Sequence, residues 1–316
     1  MKKEDSHAAK NTIVEAGVPS SAPDEHSSEA EVVSPAKEQT KYGASTEIKI
    51  QQVIEACERY GSRAIIALAG VPGTGKSFIA SIGAQRFTEE PLLVREIQFH
   101  QSFSYEEFIE GMRIDNSGGV NVAPGIFLDW NKSALDDPAH KYVLLIEELT
   151  RANISAVLGE LMTYLEHRER PFMSVYSRQP TYIAKNLTIL ATYNPMDRSA
   201  LEVDGALLRR MRIISFPPSP EQLDEMLVGR NLSAEVLSRL KNIFTTCQKK
   251  FSDQYDALMP FGHGIFADVH DEQPDLHRLW IERISYILKR PLVEPHPFTD
   301  VIEELYPWRE PSFKAS

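Results

Sequence analysis

The apolar run RAIIALAG (63–70) leads without a break into GVPGTGKS, Gly70 to Ser77, and then into FIASIGAQRF, which reads as a helix. Few folds place a buried strand, a loop of the form G-x-x-x-x-G-K-S and a helix start in that order. The glycines let backbone N–H groups turn inward around phosphate oxygens, and the helix N-terminus adds a dipole that favours an anion. The expected nucleotide-binding set is therefore Gly70, Val71, Pro72, Gly73, Thr74, Gly75, Lys76, Ser77 and Phe78. Lys76 supplies positive charge to the outer phosphates, and the Ser77 hydroxyl is suited to ligate Mg²⁺.

A second apolar run, YVLLIE (142–147), ends on two adjacent carboxylates, Glu147 and Glu148. Buried carboxylates are costly unless they are paired or hold a metal. Beside a phosphate loop they have two uses: Glu147 for the magnesium shell and Glu148 to orient the attacking water. Asp is commoner at the first position, so Glu147 extends the carboxylate by one methylene. Asn194 follows LTILATY (187–193), where its amide can bind both the water and the outer phosphate. Arg209 and Arg210 end a short helical stretch, ALLRRM. A guanidinium aimed at the outer phosphate stabilises charge developing in phosphoryl transfer, and in ring NTPases a neighbouring subunit supplies it.

The other strand candidates are LVREIQFH (93–100) and RIISF (212–216). Strands alternating with helices predict an α/β fold, a parallel sheet covered on both faces. After FPPSP (216–220) the pattern turns helical, which predicts a small all-helical lid. The expected division is a disordered tail over 1–44, poor in large apolar residues, a nucleotide-binding domain over 45–218, a lid over 219–290 and a C-terminal extension over 291–316. Ser45 or Thr46 is the expected cap of the first helix.

With 316 residues and 42% hydrophobic content, the chain can build real cores. A net charge of -11 argues against broad adhesion to nucleic acid or anionic membrane. Cys57 and Cys247 read as free thiols, with neither disulfide nor zinc spacing. No run reaches membrane-spanning length and the N-terminus lacks an apolar leader, so a cytoplasmic protein is expected.

Several segments together resemble the McrB-like group of AAA+ NTPases, the nucleotide-hydrolysing subunits of methyl-directed restriction systems. FHQSFSYEEFIEGMR (99–113) looks like that group's FHxSxSYEDFxEG, and EELTRANISAVLGELMTYLE like its DEINRxNISxxxGELxxxLE. NPMDRS resembles its NTADRS signature, PGIF (124–127) recurs, and FGHGIFADV (261–269) is similar to the GHxYF-type segment of its lid. The likeness covers roughly 65–288. It implies that Asn194 and Asp197 position the water and that Arg209 and Arg210 act as the family's arginines. It also implies a homo-oligomeric ring, a hexamer in this group, and a separate McrC-like nuclease or other partner protein, with DNA contacted only through that partner or the pore of the ring. His263 sits in the lid segment that could reach nucleotide, and a structural histidine is the other open reading there. ATP is favoured over GTP because most AAA+ proteins use it.

EELTR departs from DEINR, and NPMD from NTAD, with ATYNP closer to MoxR-type ATPases. Two other readings follow: a MoxR-like chaperone remodelling a protein complex, and a nucleotide-gated scaffold with little hydrolysis. Elsewhere, SFSYEEFIEGM reads as an amphipathic helix on the sheet, EHRERPFMSVYSR, with Arg168, Arg170 and Arg178, as a solvated charged turn, and Trp280 as a lid core anchor.

Overall fold

The computed structural model describes residues 41–115, 118–197, 205–255, 259–270, 273–289 and 306–309. Most of the expected tail and most of the expected C-terminal extension lie outside these residues, as do 198–204 between Asp197 and the arginine helix. Helix α1 (Ala44–Tyr60) precedes strand β1 (Ile65–Ala69), the phosphate-loop candidate and helix α2 (Lys76–Thr88). Strand β2 (Val94–Gln98), a one-turn helix α3 (Tyr105–Phe108), strands β3 (Glu110–Ile114) and β4 (Val120–Pro124) and helix α4 (Ile126–Asp136) follow. Then come β5 (Tyr142–Glu147), short helices α5 (Ile154–Leu158) and α6 (Leu161–Tyr164), β6 (Phe172–Met173), β7 (Pro180–Thr181), β8 (Leu187–Tyr193), α7 (Gly205–Arg210) and β9 (Met211–Ser215).

Five strands form one parallel sheet in the order β2-β5-β8-β1-β9. They are the five runs expected from sequence. Side chains alternate across it: Ile65, Ala67, Leu144, Ile146, Ile189 and Ala191 enter the core beneath α4–α6, whereas Ile66, Leu68, Val143, Leu145 and Leu190 pack under α1 and α2. Burial on both faces explains why each strand reads as a continuous apolar run. All five strands point the same way, so the residues following β1, β5 and β8 gather along one edge, with β8 between the other two. Ligands of open parallel sheets bind at that edge.

Beyond β9 the described chain is helical: α8 (Pro220–Leu227), α9 (Ala234–Tyr255), a 3₁₀ turn over His263–Phe266, then α10 (Gln273–Leu279) and α11 (Ser285–Lys289) joined by a π turn. On α9, Val236, Leu240, Ile243, Phe244, Cys247 and Phe251 recur at helical spacing and form a separate core with Leu223, Phe261, Phe266 and Leu276. Trp280 packs against that core and stacks on Tyr306 at 5.3 Å, as a core anchor should. Tyr306 and Trp308 are fully buried in it. Cys57 and Cys247 are buried and free, and burial pushes both thiols up to about 12.

Three expectations need correction. SFSYEEFIEGM forms a single turn and then strand β3, which pairs antiparallel with β4. Glu110 fixes this outcome: its carboxylate accepts N–H groups from Tyr176 at 2.7 Å and Ser177 at 2.8 Å, so a distant turn decides where the helix stops. Phe103, Tyr105 and Phe108 still pack on the core, whereas Met112 is exposed. Second, Arg168 is buried, not solvated. It donates to the carbonyls of Ala184 (2.7 Å), Leu187 (2.6 Å) and Gly61 (3.0 Å), joining the end of α1 to the start of β8. Burial lowers its pKa to about 10. Third, neither Ser45 nor Thr46 caps α1; Gly43 holds the cap position, and Glu225 of α8 accepts from Ser45 N at 2.5 Å, Thr46 N at 3.1 Å and Thr46 Oγ1 at 2.9 Å. A distant carboxylate meets the α1 macrodipole.

Candidate nucleotide site

Gly73 and Gly75 adopt φ of 78° and 77°, a left-handed conformation that side chains resist, and this turns the loop back over the start of α2. Thr74 is fully buried and donates to Val71 O at 3.0 Å, closing the loop from inside. Gly70 packs on the backbone of Phe216, where a Cβ would lie 2.3 Å from a carbonyl oxygen. Among the described residues no side chain caps α2, which leaves the N–H groups of its first turn for an anion. Lys76 donates to Val71 O at 3.1 Å. Burial lowers its pKa, while Glu148, Glu147 and Asp197 favour its charge. The lysine is thus held among three carboxylates, each near enough to interact with it. Phe78 points outward and meets the edge of Tyr42 at 5.2 Å.

Glu147 ends β5, and Ser77 Oγ donates to its Oε2 at 2.7 Å. The same oxygen accepts from the Thr192 hydroxyl on neighbouring β8. Oε1 is buried and has no partner among the described residues. An orphaned carboxylate oxygen next to the loop hydroxyl fits an oxygen-seeking cation such as Mg²⁺ or its bound water, so the donor set suits that metal. The extra methylene of Glu147 therefore does not remove it from the loop. Glu148 has a left-handed backbone, φ 56° and ψ 45°, which turns its side chain away from the strand direction. Arg151 Nε donates to its Oε2 at 3.2 Å.

Asn194 is buried at the end of β8; its amide donates to Asp197 Oδ1 at 2.9 Å and accepts Met196 N–H at 3.1 Å. The two residues expected to position the water thus form one unit. From the lid, Gly262 N–H donates to Pro72 O and Gly264 N–H to Gly73 O, both at 2.7 Å. His263 between them is buried, and burial lowers its pKa to about 4. A Cβ on Gly75 would lie 3.9 Å from His263 Nε2, so the imidazole borders the phosphate loop.

Arg209 and Arg210 stand apart. Both pair with Glu166, at 3.3 Å in each case, and among the described residues neither has a hydrogen bond or ion pair to the loop. Their side chains differ in exposure, 68% for Arg209 and 12% for Arg210. Within one chain, then, the loop, Glu147, Glu148, Asn194, Asp197 and His263 converge, and the arginines do not. Sequence reading passed over Thr192, Glu225, Gly262 and Gly264. Thr192 falls within ATYNP, but nothing in a single sequence distinguishes it from any other strand residue.

Comparison with known proteins bears on this arrangement. Residues 65–211 match the AAA domain (dynein-related subfamily). The type IV methyl-directed restriction enzyme EcoKMcrB subunit of Escherichia coli (strain K12) is 32% identical over 249 residues, covering 74% of this chain and 54% of that protein. The type II restriction enzyme BsuMI component YdiS of Bacillus subtilis (strain 168) is 24% identical over 183 residues, covering 45% and 53%. The chain thus spans about half the length of these curated relatives. A Cytophaga hutchinsonii protein of solved structure overlays at a TM-score of 0.37 with 15% identity over 66% of this chain and 60% of that one, too loosely to bear on function. The match that begins with β1 and reaches β9 makes residues 65–211 an AAA domain, and 74% of the chain is McrB-like in sequence.

Proposed function

We propose that the chain is a Mg²⁺-dependent nucleoside triphosphatase, working on ATP in preference to GTP, that assembles into a homo-oligomeric ring. In this reading 45–218 is the nucleotide module and 219–290 its lid, the ring is a hexamer in the cytoplasm, and a separate McrC-like nuclease cuts DNA on its instruction. The observation that carries it is Glu147 Oε1, buried and without a partner among the described residues, on the carboxylate that the Ser77 hydroxyl binds at the start of α2.

The backbone N–H groups of Gly73 to Ser77 surround the β-phosphate, and Lys76 exchanges its Val71 carbonyl for an outer phosphate oxygen. Ser77 and Glu147 would hold Mg²⁺, which when bound would supply charge screening to the phosphates. Glu148 accepts a hydrogen bond from the attacking water and orients it, with Asn194 and Asp197 fixing its second direction. Arg209 is the exposed arginine and serves the site of the adjoining subunit, so activity depends on assembly.

The test is phosphate release from purified protein with ATP and with GTP, with and without Mg²⁺, over a range of protein concentrations. Turnover per chain should rise with concentration and disappear in Glu148→Gln and Arg209→Ala. Tight nucleotide binding with no turnover at any concentration would sink the enzymatic reading and favour a nucleotide-gated scaffold.

A further inference from the structure

Thr192 is a buried residue of β8, the strand that lies between the phosphate-loop strand and the acid-bearing strand. Its single hydroxyl makes two bonds to consecutive residues of the neighbouring β5 end. The hydrogen is donated to Glu147 Oε2, and the oxygen accepts the Glu148 backbone N–H at 3.3 Å. The hydroxyl thus spends its one donor on the side chain of Glu147 and an acceptor lone pair on the backbone of Glu148. A parallel ladder would ordinarily continue along β5, but Glu148 leaves it by turning to φ 56°. A β-strand that breaks into a left-handed turn leaves an N–H without a ladder partner, and the Thr192 oxygen takes it.

Glu147 carries the longer side chain, with one more rotatable bond than Asp. An unrestrained carboxylate there could sample several rotamers. Ser77 and Thr192 both donate to the same oxygen, Oε2, which fixes the carboxylate plane and leaves Oε1 as the unsatisfied acceptor. We propose that Thr192 is a positioning residue that sets both catalytic carboxylates at once, holding Glu147 with one oxygen free for the metal shell and pinning the backbone turn that aims Glu148. The role rests on the phosphohydrolase reading above. Partners of metal-binding carboxylates change affinity or activity by about 10–100-fold when removed.

The experiment measures the dissociation constant of a fluorescent non-hydrolysable nucleotide, in excess Mg²⁺ and in EDTA, together with kcat and KM for the full-length wild type, Thr192→Val and Thr192→Ser. The wild type should bind more tightly with Mg²⁺. Thr192→Val should lose about tenfold or more of that metal-dependent gain and of kcat, while its affinity in EDTA stays near wild type. Thr192→Ser keeps the hydroxyl and should restore both within a few-fold, which separates a missing hydrogen bond from a disturbed strand. Equal weakening of binding with and without metal, or a valine variant as active as wild type, would overturn the role of Thr192 while leaving the site intact. A wild type that gains nothing from Mg²⁺ would overturn the metal site itself, and the positioning role with it.

Discussion

Gly264 of the lid donates its backbone N–H to the carbonyl of Gly73 in the phosphate loop across 2.7 Å. The contact is backbone to backbone, so the glycine-rich loop proposed to hold phosphate is also the surface on which the lid rests. The approach leaves no room for a side chain: a Cβ on Gly262 would lie 2.2 Å from Gly73 O and 2.5 Å from Thr74 N. A Cβ on Gly264 would lie 2.9 Å from the same oxygen.

Gly262→Ala should therefore lift the lid from the loop, at a cost of about 1–3 kcal/mol for the forced separation. Nucleotide affinity should fall by about tenfold, since 1.4 kcal/mol is a factor of ten. Titration with a fluorescent nucleotide reads this directly. An affinity equal to wild type would mean that lid contact and nucleotide binding are independent.

Glu225 holds the other side of the lid junction. Its carboxylate takes two backbone N–H groups and one hydroxyl at the start of α1, and a Cβ on Gly43 would meet it at 2.3 Å. Glu225→Ala leaves those donors without a partner and should cost about 1–3 kcal/mol of stability. Hydrogen exchange of the Ser45 and Thr46 amides should accelerate, a local signature that general destabilisation would not give. Glu225→Gln keeps one acceptor oxygen and should fall between alanine and wild type.

The five-stranded sheet was largely legible in the sequence, and the contacts that join its module to the helical region after it were not. The five sheet strands could be read because each is a short apolar run buried on both faces, as at Ile65–Ala69 and Leu187–Tyr193. The phosphate loop and the acid pair are local patterns whose chemistry fixes their spacing. The β3–β4 hairpin escaped because its start is set by Glu110 binding the backbone of Tyr176 and Ser177, far along the chain. Arg168 escaped for a like reason: a single sequence cannot show that Gly61, Ala184 and Leu187 would all present carbonyls to one guanidinium. Thr192 and Glu225 are further cases, ordinary residues whose importance lies in partners dozens of positions away.

His263 predicts a pH dependence. Burial lowers its pKa from the ordinary 6.5 to about 4, with Glu225 opposing the shift. The unfolded chain therefore binds a proton that the folded chain refuses between those two values, and stability rises with pH across that window. The contribution is fully present above pH 6.5 and is lost as pH falls toward 4. Its full size is about 3 kcal/mol at most, from the free energy of 1.36 kcal/mol per unit. Urea unfolding of wild type and His263→Gln at several pH values checks it: the variant should show a shallower fall between pH 6.5 and 4. Parallel curves would show that other groups carry the dependence.

The last prediction concerns the two arginines, whose environments separate their roles. Arg210 is mostly enclosed, with its side chain 12% exposed, and also donates to Ala206 O at 2.9 Å. Arg209, at 68%, shares Glu166 but faces solvent, where an exposed ion pair is worth only about 0–1 kcal/mol and is readily exchanged for a phosphate. Arg209→Ala should leave the melting temperature almost unchanged and abolish turnover, whereas Arg210→Ala should lower the melting temperature. If Arg209 serves a neighbour's site, mixing Arg209→Ala with Glu148→Gln should restore activity that neither variant has alone. In the mixed ring an Arg209→Ala subunit keeps its own Glu148, and an adjoining Glu148→Gln subunit supplies the missing guanidinium. Activity that stays absent at every mixing ratio, in rings shown by affinity capture of a tag on one variant to contain both, would mean that Arg209 does not complete a neighbouring site.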